Sequence, residues 1–141
     1  MSVKMNLNRV SRLCKLASER ALFKILSMGP KPQDPAAAVE WQGRLTALQD
    51  SLGQLTAIVI DLNAQQIVDG LSEFDEELKN IGEISKNAQD KIKKIQSISD
   101  FLEQAAKILD LGVAIAAAMA LPSPTTISAA VSAATEIKDE D

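Results

Sequence analysis

"LTALQDSLGQLTAIVIDL", residues 45–62, carries Leu45, Leu48, Leu52, Leu55, Val59 and Leu62 at alternating spacings of three and four. That spacing brings each side chain back to one side of an α-helix and makes a coiled-coil-like seam. Inside it, "AIVI" at 57–60 has three β-branched residues and would suit a buried strand. The seam keeps its phase on both sides of those four residues, so the segment reads as helix. A helix with one apolar seam needs others to cover it, and the flanking sequence supplies them.

Toward the N-terminus, Asp34 followed by Pro35 is a start signal, with the carboxylate as N-cap and proline in the first turn. A helix over about 35–68 follows. Residues 29–35 read as a linker, opened by the stop Gly29-Pro30. Before it, Val3, Leu7, Val10, Cys14, Ala17 and Ala21 form an apolar stripe, widened by Leu13, Leu16 and Ile25. Arg9, Arg12, Lys15 and Arg20 lie mostly opposite, which predicts an amphipathic helix over about 3–28 with a basic face.

Toward the C-terminus, "DGLSEFDEE" (69–77) interrupts the seam. Asp69-Gly70 offers a stop, Ser72 with Asp75 a variant capping box, and the acids suit a helix N-terminus. The chain is expected to reverse at 69–72, or near Gly82. A third helix, about 71–96, carries Leu71, Phe74, Leu78, Ile81, Ala88, Ile92, Ile95 and Ile98 on one side. Ser97 or Ser99 can cap a fourth, about 99–121, with a stripe of Leu102, Ala105, Leu109, Val113 and Ala116. "PSP" at 122–124 breaks the chain before a last helix, about 124–137, and an acidic tail at 138–141. The expectation is a single all-α domain over 1–141, an elongated antiparallel bundle of four to five helices.

Composition agrees: Leu, Ile and Ala dominate the apolar residues, while aromatics are three Phe and one Trp. The net charge of −4 hides an asymmetry, because residues 1–31 hold seven Lys and Arg against Glu19 alone. A basic segment on an acidic body suits docking on that body, an anionic surface or an acidic partner.

Most chemistry is disfavoured. With no histidine and one cysteine, His-based acid–base work, Ser-His and Cys-His nucleophiles and ordinary zinc sites lack their residues. Glu73, Asp75, Glu76 and Glu77 lack the spacing and central glycine of a calcium loop, and the scattered glycines cradle no phosphate. No enzyme activity, cofactor, metal or small-molecule substrate is therefore expected. The basic first segment has neither Tyr nor Trp and the rest is acidic, so nucleic acid is not an expected partner. No secretory signal or transmembrane span is apparent, which suits a cytoplasmic or otherwise soluble protein.

One run remains: from Leu111 to Leu121 every position is apolar or glycine. Eleven helical residues rise about 16 Å, roughly half a bilayer's hydrocarbon, so they make no single pass. With the last helix they could form an apolar hairpin over 111–134, carried by Leu111, Val113, Ile115, Met119, Leu121, Ile127 and Val131. The alternative is a core helix, enclosed by protein on every side. Gly112, Ala116 and Ala120 would then meet Ala129, Ala130, Ala133 and Ala134 of the last helix. Enclosure is the preferred reading. Trp41, Leu55, Ile58, Ile60 and Ile67 then remain as the expected interaction surface for a second copy or a helical partner protein. The competing expectation is a membrane-active protein, in the manner of soluble helical pore formers. It would release the hairpin, with Arg9, Arg12, Lys15 and Arg20 on anionic lipid.

Overall fold

In the computed structural model, which describes residues 2–67 and 69–138, the first helix is the centre of the fold. α1 (Ser2–Leu26) packs against α2 (Pro35–Ala64), α3 (Asp75–Lys94) and α4 (Ile98–Ala120). α5 (Pro124–Lys138) closes the bundle on α3 and α4. Every member of the expected α1 stripe is buried, from Val3 to Ala21. The described residues contain no strand, and AIVI is mid-helix.

Successive helices reverse direction, and the long-range contacts show it. Ser11, early in α1, donates to Asn63 Oδ1, late in α2, at 2.8 Å. α1 and α3 run the same way, with Asn6 against Gly82 at one end and Lys24 against Ile95 and Gln96 at the other. α2 and α4 are also parallel: Ile58 lies at Gly112, and Gln65 Nε2 donates to the Ala116 carbonyl.

Local signals set most boundaries. Asp34 Oδ2 accepts from Ala37 N at 3.0 Å, and Pro35 follows it in the first turn of α2. Ser97, rather than Ser99, caps α4 by accepting from Asp100 N at 3.0 Å. Ser123 and Thr126 cap α5 reciprocally, each hydroxyl accepting from the other's backbone N–H. The reversal between α2 and α3 differs in detail from the expectation. α2 ends at Ala64, and Asp69–Phe74 forms a 3-10 turn. Ser72 donates to the Asp69 carbonyl instead of capping α3, which starts on Asp75, Glu76 and Glu77 with no side-chain cap. Gly82 is mid-helix in α3, so the chain does not turn there. Val68 and the tail residues 139–141 lie outside the described residues.

The seam of α2 faces inward: Leu48, Leu55 and Leu62 are buried, and Leu45, Leu52 and Val59 flank them. In α4 the expected stripe is out of phase. Phe101, Ala105, Ile108, Leu111, Ile115 and Met119 form the core face, Leu102 and Leu109 are only half-buried, and Val113 points to solvent. Fully burying a side chain such as Phe101 or Ile115 contributes about 1.5–3 kcal/mol, and this phase buries them while keeping Asp100, Glu103 and Asp110 in solvent. The Ala-rich run is thus enclosed on most sides, with one strip of Val113, Ala117 and Ala120 open. Gly112 turns its open side to α1 and α2 rather than α5: a Cβ there would stand 3.0 Å from both Cys14 Sγ and Ile58 Cγ1, so three helices converge on it.

Candidate functional site

Two surface features stand out once the helices are assembled. The first is the end where α1 runs into α2. Leu22, Phe23 and Leu26 are exposed on the last turns of α1, Leu26 at 75%. Across the 27–34 connection, Val39 is 73% exposed and Trp41 half-buried. No residue of α2 before Leu48 is buried. The cause is register: α3 ends and α4 begins near the level of Lys24, so the first three turns of α2 are only partly covered, with Trp41 and Leu45 half-buried and Val39 open.

The same corner is tied down by cations. Lys24, buried, donates from Nζ to the carbonyls of Ile95 and Gln96 at 2.8 Å each, serving acceptors that the end of α3 leaves without helical donors. Burial first, and the neighbouring Arg20 second, lower the Lys24 pKa from its ordinary value. Arg20 donates to the Lys93 carbonyl at 3.4 Å and lies 4.8 Å from the centre of the Phe23 ring.

The second feature is a cleft of about 500 Å³ between the start of α1 and the middle of α3. Lys4, Arg9, Arg12 and Lys86 line it with Asn8, Gln89 and the exposed Met5, and no carboxylate does. Beneath it, Arg9 Nη1 donates to Asn6 Oδ1 at 3.5 Å.

Against these features the residues singled out by sequence fall into groups. Of the expected interaction surface, Leu55 is fully buried and Ile58 nearly so, hence both belong to the core. Trp41 is half-buried at the open end, while Ile60 and Ile67 are exposed farther along the α2 side. Of the apolar hairpin, Leu111, Ile115, Met119 and Ile127 are buried, Val131 is half-buried, and Val113 and Leu121 are exposed. Of the basic face, Arg9 and Arg12 enter the cleft, Lys15 stands exposed outside it, and Arg20 serves the corner. Sequence reasoning missed Lys86, Lys24, Asn6 and the open-end trio of Leu22, Phe23 and Leu26. The trio had a signal, since these residues lie off the α1 stripe.

Cys14 is no nucleophile here. Its thiol is buried, donates weakly to the Ile108 carbonyl at 3.9 Å, and burial pushes its pKa from 9.0 up to about 12. Among the described residues no cluster of acids and cysteine could hold a metal, and no helix is long and apolar enough to cross a membrane. Compared with family models, with curated proteins and with solved structures, the chain matches none of them.

Proposed function

We propose that this protein is a non-catalytic helical bundle that works by binding protein, either a second copy of itself or another helical chain. The open end of α1 and α2 is its contact surface. The supporting observation is the exposed trio Leu22, Phe23 and Leu26 within the last turns of α1, beside an α2 that buries nothing before Leu48 and exposes Val39. Large apolar and aromatic side chains gathered on one end are the usual make-up of an interface centre. Arg20 on the Phe23 ring adds the guanidinium common in such centres.

Light scattering over a concentration range tests it, with Phe23→Glu/Leu26→Glu as the variant. Self-association predicts a mass above one chain that falls to one chain in the variant, with helical circular dichroism unchanged. A mass of one chain at every concentration, for both proteins, sinks self-association and leaves a helical partner as the occupant. The membrane-active alternative asks more of the fold. Leu111, Ile115, Met119 and Ile127 must leave the core before the hairpin meets lipid. Dye release from anionic vesicles is its test.

A further inference from the structure

We propose that the cleft between α1 and α3 is a binding site for a phosphate-bearing anion, held by Lys4, Arg9, Arg12 and Lys86. The inference is independent of the protein-binding reading, since the cleft and the open end share no residue.

Charge carries the first part. The chain has 19 acids against 15 Lys and Arg, yet four cations from two helices gather around one concavity that no acid lines. Cations gathered this way give the hollow a positive potential, which a polyanion meets with favourable sign at every one of them. The lining also has the right donors. Guanidinium forks match phosphate oxygens in pairs, ammonium groups act as point charges, and the carboxamides of Asn8 and Gln89 supply neutral N–H donors. Four cations exceed what one carboxylate neutralises, which favours a ligand with two or more phosphates. The hollow is open, with Lys4, Asn8, Arg12 and Lys86 exposed at its walls, so a charged headgroup reaches it directly from solvent.

Preorganisation carries the second part. Asn6 sits on the apolar face of α1 and is 1% exposed. It fits there because α3 has Gly82, where a Cβ would overlap the Asn6 side chain. Its Nδ2 finds no hydrogen-bond partner among the described residues, while its Oδ1 accepts from Arg9. A buried carboxamide left half-satisfied weakens a core, and what this one does is hold a guanidinium at the edge of the cleft. Asn6 is thus a positioning residue for Arg9.

A phosphate cluster can come free in solution or on a lipid headgroup, and the experiment has an arm for each. Full-length protein is titrated calorimetrically with sodium tripolyphosphate. It is also co-sedimented with phosphatidylcholine vesicles, with and without phosphatidylinositol bisphosphate. Saturable binding in either arm is the expected result, and the arm that binds names the source. Arg9→Gln/Arg12→Gln should weaken it about tenfold or more, as loss of charge-assisted hydrogen bonds implies. Lys15→Gln, on the same helix but outside the cleft, should leave it unchanged. Asn6→Ala should lower affinity several-fold in protein that circular dichroism shows fully folded at the assay temperature, and an unchanged affinity there removes the positioning role. Absence of binding in both arms overturns the site, as does equal loss in the Lys15 and the double-arginine variants.

Discussion

The first three turns of α2 and the last three of α4 are both rich in alanine and aliphatic residues, yet one stands open and the other is core. In 35–47 nothing is buried; in 111–119, six of nine residues are. Hydropathy accounts for part of the difference, since the first segment carries Glu40, Gln42 and Arg44 and the second no polar residue. Height in the bundle accounts for why Val39 is not covered either: the α4 segment lies level with the middle of α1 and α2, where Cys14 and Ile58 close on Gly112, whereas the α2 segment extends past the corner at Lys24. What an apolar helix face does is decided by which neighbours reach its level.

The sharpest way to break this contrast is to place a charge in each segment. Ile115→Asp should unfold the protein, since an unpaired carboxylate in that core costs several kcal/mol against a total stability of only about 5–15. Val39→Asp should leave the melting temperature within a few degrees; equal damage from both would mean that the end of α2 is covered. Glycines give a gentler version. Gly112→Ala must push Cys14 and Ile58 aside by a few tenths of an ångström, which offsets the helix-propensity gain, so in chemical denaturation it should end below Gly43→Ala. Gly43→Ala, with nothing within 4 Å of the new Cβ, should instead stabilise by about 0.5–1 kcal/mol through helix propensity.

A pH dependence tests the same core. Burial holds the native Cys14 pKa at about 12, against 9.0 for an ordinary thiol. The unfolded chain therefore releases its thiol proton first as pH rises. The stabilisation is complete below pH 9 and is lost as pH climbs toward 12. Denaturation midpoints of the native protein should fall more steeply above pH 9 than those of Cys14→Ala, and parallel curves would show that the thiol is not held this way.

Much of this architecture was readable from local chemistry. The stripe of α1, the seam of α2 and the caps at Asp34 and Ser97 are all contacts within a few residues, which spacing reports directly. The phase of α4 was not, because where apolar residues occupy every position their pattern has no direction. The polar face did carry the answer: Asp100, Glu103 and Asp110, continued at helical spacing, lead to Val113, Ala117 and Ala120, and those are the open positions. The surface features were least legible. Lys86 joins Arg9 and Arg12, and Lys24 reaches residues 71 and 72 positions away, only after the helices have packed. No local pattern encodes such meetings.

The placing of α1 at the hub bears on how the chain is made. A ribosome delivers this helix first, while the α4 residues that cover Cys14, and the carbonyls that receive Lys24, arrive some ninety and seventy positions later. Until then only α2 is there to pack against its apolar stripe, so the α1–α2 pair has no finished fold to adopt, and folding waits for most of the chain to emerge.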